Sequence, residues 1–236
     1  MKNRKFVKPL LIVVAMILVC VLSVFATIAY LTDTSNIATN TFTVGDVEIT
    51  LDEAKVDLYG VKDGTNRVAD GNEYKLLPNH TYAKDPTVTI VKESEVAYVR
   101  MFVEISDITD VKNAFGSVTI DDATYFLPQN FVNGWDNTKW LTTNKIVEAN
   151  GKAYYEFRYF ESVDAREAAV TLDALFDSFT VPGTVDNDTL DTLDDMEIKV
   201  VAQAVQADGF LTVDAAFAAL DVDGLDAAEL AAFFAA

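Results

Sequence analysis

The chain holds one cysteine, one histidine and 18 basic residues against 37 acidic ones, and each shortage removes a class of function. Cys20 lies inside an apolar run, so everything after it has no thiol, disulfide or cysteine-bound metal. Val19 stands before Cys20 where a lipoprotein signal needs a small residue, which argues against lipidation. The single histidine, His80, sits in an expected turn beside Pro78. A zincin needs two histidines one helical turn apart with a glutamate between them, to hold Zn²⁺ and activate water. A Cys-His pair is not available, and His80 is poorly placed for a Ser-His-Asp arrangement. The formal charge is −19; residues 1–29 carry four positive and no negative charges, so the remainder stands at −23. Such a surface repels phosphate, and nucleic acid is excluded as a partner. Catalytic residues, cofactors and a metal set are therefore not expected.

What is present begins with a targeting signal. Lys2, Arg4, Lys5 and Lys8 precede an uncharged run from Leu10 to Ala29, the pattern of a basic region followed by a hydrophobic one. The run is also long enough to span a bilayer, so residues 1–29 read either as a cleaved signal peptide or as a retained membrane anchor. Thr27 and Ala29 are small residues at the −3 and −1 positions of a peptidase site, and polar Thr32 to Asn36 follow at once. Cleavage between Ala29 and Tyr30 is the expectation, with contact to a membrane only through 1–29.

Beyond the signal the dominant period is two. Phe42 and Val44, then Val47, Ile49 and Leu51, alternate with polar residues across Gly45, where a bulge or bend is expected. Ala97, Val99, Met101, Val103 and Ile105 form one face of a long strand, with Tyr98, Arg100, Phe102 and Glu104 on the other. Further strands are expected around Val88 and Ile90, and over 117–120, 153–161 and 196–206. Turn signals separate them at Asp63-Gly64, Asp70-Gly71-Asn72, Leu77-Pro78-Asn79, Asn133-Gly134, Asn150-Gly151 and Pro182-Gly183. This punctuation predicts an all-β antiparallel sandwich over 42–210 with minor helices. Residues 164–179 space Leu172, Leu175, Phe176 and Phe179 as a short helix or a loop excursion. Over 211–236 an alanine-rich helical tail is expected, with Thr212 capping 213–220, either packed on the sandwich or frayed.

Two weaker signals are chemical. Asp221-Val222-Asp223-Gly224 has the look of a calcium loop, but placing Gly224 at position six puts Ala219 at position one and Leu230 at position twelve, where ligands are required. Asp186-Asn187-Asp188 with Asp191, Asp194 and Asp195 lacks the glycine turn. Both are expected to be solvated acidic loops. Trp135 and Trp140 form either a carbohydrate-stacking platform or, the stronger expectation, hairpin packing.

The order of these pieces resembles the TasA/camelysin family. Ala29-Tyr30-Leu31-Thr32-Asp33 followed by Asn40-Thr41-Phe42-Thr43-Val44-Gly45-Asp46-Val47-Glu48-Ile49 is similar to its start. Leu77-Pro78-Asn79 leading to Lys84-Asp85-Pro86-Thr87-Val88-Thr89-Ile90 resembles its proline-glycine turn and strand, with Asn79 where glycine is common; Asn also accepts a left-handed backbone. Ala97-Tyr98-Val99-Arg100-Met101 and Ile198-Lys199-Val200-Val201-Ala202-Gln203-Ala204-Val205-Gln206 resemble later strands. The resemblance implies a jelly-roll sandwich exported by bacteria through a SipW-type signal peptidase, and in several members built into extracellular biofilm-matrix fibres. It also implies that the freed N-terminus, residues 30–41 here, acts as a donor strand to a neighbouring copy, with Leu31 or Ile37 filling pockets. The plainer alternative is that 30–41 begins the chain's own first strand or stays disordered. The resulting expectation is a secreted, non-enzymatic, homo-oligomeric structural protein of the cell surface. A secreted metalloendopeptidase, the label part of the family carries, and a cell-surface adhesion module are the alternatives.

Overall fold

The computed structural model describes residues 32–35, 47–194, 196–221 and 224–235. The run 1–29, Tyr30, Leu31, Ile37 and the Gly45 bend lie outside the described residues. The chain passes through β1 (Thr32–Ser35), β2 (Ile49–Val56), β3 (Lys62–Val68), β4 (Thr81–Ala83), β5 (Thr87–Ile90) and β6 (Ala97–Ile105) before a first helix, α1 (Ile108–Phe115). Then come β7 (Val118–Ile120), β8 (Ala123–Tyr125), β9 (Val132–Asn133), β10 (Trp140–Ala149), β11 (Lys152–Tyr159), β12 (Val170–Thr171) and β13 (Ser178–Thr180). The last elements are α2 (Asn187–Asp191), β14 (Ile198–Gln206), α3 (Val213–Leu220) and α4 (Ala227–Phe233).

The fold is all-β and sandwich-like, with few short helices. One sheet has the order β1-β14-β6-β11-β10 and a second has β12-β5-β2-β3; β4-β13-β9 and the β7-β8 hairpin are the other pairings among these strands, all antiparallel. The core follows from the alternation of the strands. Val99, Met101, Val103 and Ile105 of β6 join Tyr155, Phe157 and Tyr159 of β11 and Val200, Ala202 and Ala204 of β14 in one buried cluster. Ile49 and Leu51 of β2 and Val88 and Ile90 of β5 supply it from the second sheet. The Asn150-Gly151 signal makes the two-residue turn between β10 and β11, with φ of 53° and 77°. A positive φ at both positions is the turn whose twist matches the flanking strands, and Asn-Gly adopts it at low cost.

Strand β6 is buried along its whole length. Its second face is covered by the C-terminal helices, so the tail packs on the sandwich. Tyr98 and Val205 pack against Val213, Ala216 and Phe217 of α3. Phe102, Tyr154 and Val201 pack against Leu230 of α4, and the Phe102 and Phe233 rings stack at 5.1 Å. Each side chain of this size stabilises by about 1.5–3 kcal/mol when fully buried, enough to hold two short helices that would not persist alone. Both start with caps: Thr212 accepts from the Ala215 N–H, and Asp226 with Glu229 forms a reciprocal capping box.

Three expectations are corrected or resolved. Asp63-Gly64 lies inside β3, which is exposed over most of its length, and makes no turn between strands. Residues 164–179 take the loop alternative and form no helix; Leu172, Leu175, Phe176 and Phe179 reach the core from irregular backbone and short strands. Trp135 and Trp140 form no platform: Trp140 is fully buried, and the Trp135 Nε1–H donates to the Trp140 carbonyl at 2.9 Å.

Candidate functional site

Two places are candidates: a strand edge held by a single ladder, and a buried polar cluster beside a cavity. The first is the β14 edge. Strand β14 is a strong strand because Val200, Val201 and Val205 are β-branched and Ala202 and Ala204 fit the crowded core face. It pairs with β6 over nine residues on one side and with β1 on the other, in the register Thr32↔Val205, Asp33↔Ala204, Thr34↔Gln203 and Ser35↔Ala202. Four residues of the expected donor segment therefore lie as an edge strand of this chain's own sheet. That sheet's order gives β1 no neighbour other than β14 among the described residues.

The second is a polar cluster where β2 leaves the core. Period two places Glu53 on the same face as Ile49 and Leu51, so a carboxylate is carried inward. Its Oε2 meets the Lys84 ammonium at 2.6 Å, and both side chains are only 7% exposed. Its Oε1 accepts from the Asn72 Nδ2–H at 2.7 Å. The Asn72 amide is held at its other positions too: Nδ2 donates to the Ala54 carbonyl at 2.9 Å, and Oδ1 accepts the Val56 N–H at 2.9 Å. Beside these groups is a cavity of about 40 Å³ lined by Glu53, Lys84, Gly71, Pro86 and Val200, among others. Above them, burial and then the Glu53 charge push the Tyr74 phenol up, so it stays protonated and donates to the Ala83 carbonyl at 3.0 Å.

Asp85 closes the cluster on the solvent side. Burial works against its charge, but the hydrogen bond from Lys62 (2.8 Å), the Ala54 N–H (2.6 Å) and the Arg67 charge outweigh burial and hold its carboxyl below the usual carboxylate range. A depressed folded pKa contributes stability that is present above the unfolded value, about 3.9, and is lost as pH falls through the folded one. Asp85→Asn is therefore expected to lower stability at neutral pH by about 1–2 kcal/mol, discounted because Lys62 and Arg67 are part exposed. The gap from the parent protein should close as pH drops below about 4. Thermal unfolding of both proteins over that pH series measures it, and a gap independent of pH would refute the assignment.

The remaining expected sites lie elsewhere. His80 is held by Tyr59, whose carbonyl lies 2.8 Å from Nε2, and its ring sits edge-on to Tyr82 at 4.6 Å. Asn79 adopts the left-handed backbone expected of it, with φ of 56°. In the calcium-like loop, Asp221 is bound to Arg100 through both carboxylate oxygens, and Asp223 lies outside the described residues. In the other acidic stretch the Asp186 carboxylate caps α2 through the Thr189 N–H at 2.9 Å. Sequence reading did not single out Glu53, Asn72 or Lys84. The one available signal was Glu53, a charge in phase with the apolar residues of β2. No family model matches the chain, and neither does a curated protein or a solved structure.

Proposed function

We propose that this chain is a secreted, non-enzymatic structural protein of a bacterial cell surface or biofilm matrix, of the TasA/camelysin kind, which forms fibres by lending residues 30–41 to the β14 edge of a neighbouring copy. The observation that carries the reading is β1, a four-residue edge strand held by a single ladder to β14. A strand held that way can exchange its own β14 for another copy's with the same main-chain hydrogen bonds, so the swap costs little at equilibrium. The signal-like run ending at Ala29 supports it, because cleavage there frees the segment without a long linker. The metallopeptidase alternative fares worse: it needs a second imidazole, and His80 is already engaged with Tyr59.

The test is electron microscopy of the purified chain beginning at Tyr30, beside a version lacking residues 30–40. Fibres are expected from the first; the second should be a soluble, β-rich monomer. At −23 per copy, assembly should increase with added salt or mild acid, which screen or protonate the carboxylates. Ile37→Asp should weaken assembly and leave folding intact. Equal polymerisation by the truncated chain would refute the donor strand and leave 30–41 as an ordinary first strand or tether.

A further inference from the structure

A buried ion pair is a poor source of stability, because desolvation of both charges offsets their attraction. The pairing of Lys84 with Glu53 therefore calls for another account, and the third member of the cluster supplies it. One carboxylate holds a primary amine on Oε2 and a carboxamide nitrogen on Oε1, at 2.6 and 2.7 Å, in a site with little solvent access. The carboxamide oxygen already receives a backbone N–H, from Val56 at 2.9 Å. These are the parts of an acyl transfer: nucleophile, base, electrophile and a donor aimed at the oxygen on which negative charge develops.

We infer that Lys84 and Asn72 become joined by an intramolecular isopeptide bond, with Glu53 as the catalytic proton carrier. The Lys84 ammonium gives a proton to Glu53 Oε2, and the neutral Nζ moves from beside that oxygen to within about 3–3.5 Å of Asn72 Cγ and attacks it. The Val56 N–H stabilises the oxyanion of the tetrahedral species. Glu53 returns its proton to the departing Nδ2, which it already contacts through Oε1, takes up the second proton of the attacking nitrogen, and passes it to the leaving ammonia, so that ammonium departs and the carboxylate is restored. The Cγ–Nδ2 bond breaks as the Cγ–Nζ bond forms. The net change is an ammonium side chain plus a primary amide giving a secondary amide plus ammonium, with no oxidant, reductant or cofactor. The cavity beside Gly71 is of a size to hold the released ammonia.

Gly71 lies beside the cluster with φ of 82°, a backbone that L side chains rarely adopt, and a Cβ there would lie at ordinary contact distance, 4.0 Å, from Glu53 Oε1. A left-handed residue there turns the backbone after β3 so that Asn72 returns over β2. The bond ties the loop after β3 to the segment between β4 and β5 and fixes both onto β2. This inference is independent of fibre formation and survives if the donor-strand reading fails.

The experiment is mass spectrometry of the folded, purified chain. Its intact mass should fall short of the sequence mass by one ammonia. After complete tryptic cleavage at Lys75, peptides 68–75 and 76–92 should remain joined, with Lys84 uncut and fragment ions placing the branch at Asn72. Lys84→Arg keeps the positive charge beside Glu53 but removes the nucleophile, and should restore the full mass; Asn72→Ala and Glu53→Gln should do the same. Asn133-Gly134 and Asn150-Gly151 can also lose ammonia by cyclising on their own backbone, and the fragment ions separate these from the branch. A folded parent protein at full sequence mass, or an ammonia loss located only at an Asn-Gly step, overturns the proposal.

Discussion

Arg100→Ala should destabilise the protein by about 3–5 kcal/mol, the range expected when one member of a buried charge network is removed and its partners are left behind. Arg100 is completely buried at the centre of β6. Its Nε donates to Gln203 at 2.7 Å on β14, Nη1 to Glu156 at 3.1 Å on β11, and the guanidinium forks onto Asp221 just after α3. The same group lies between the Phe102 and Phe217 rings, 4.6 and 4.4 Å from their centroids. Removing it strands the Asp221 carboxylate, whereas Glu156 keeps Arg158 at 2.8 Å. The damage should therefore concentrate at α3, detected as earlier proteolysis after residue 206 as well as a lower denaturant midpoint. Arg100→Lys should recover only part of the loss, because an ammonium cannot fork onto Asp221. A loss below about 1 kcal/mol would place the cost of the network elsewhere.

Trp140→Ala is the second large effect, about 3–5 kcal/mol for an aromatic side chain removed from a core. The indole is fully buried at the start of β10, donates from Nε1 to the Asp173 carbonyl at 2.9 Å and meets Tyr159 edge-on at 5.1 Å. Asp173 belongs to the irregular stretch between β12 and β13, so the indole pins that connection to the five-stranded sheet. For a chain of this size the melting temperature should fall by about 6–20 °C. Trp140→Phe should retain much of the packing and lose the hydrogen bond, leaving the Asp173 carbonyl unpaired at a cost of about 1–3 kcal/mol. Calorimetry of the three proteins tests the ranking, and equal melting temperatures would refute it.

The strands that sequence reading located are those in which one side-chain period controls the whole element. In β6, β11 and β14 every second residue joins the main core, and the Asn150-Gly151 turn carries its own backbone chemistry. What it missed had no such local rule. α1 follows Asp107, a residue type that often caps helices, but here it has φ of 48° and no side-chain cap, so the usual capping geometry does not mark the start. β10 runs through Thr-Thr-Asn-Lys and shifts register between Thr142 and Ile146, which breaks the alternation that would have marked it. β3 is exposed and polar and contains Asp63-Gly64, the composition of a turn. The cluster of Glu53, Asn72 and Lys84 was illegible for a different reason. Its members are common surface residues in three separate segments, and only the fold of β2 against the loops after β3 and β4 gives them a shared carboxylate.

The roof that α3 and α4 make over the five-stranded sheet has a consequence for how copies can meet. A sheet with a bare apolar face invites another sheet to laminate onto it, and growth then proceeds in two directions. Here Phe217, Leu230 and Phe233 already occupy that face, and an approaching copy meets helices bearing Asp214 and Glu229. Strand edges are what is left for ordered contact with that sheet. Association through an edge adds subunits along one line, so any polymer of this chain should be a thread of constant width, lengthening with concentration without thickening.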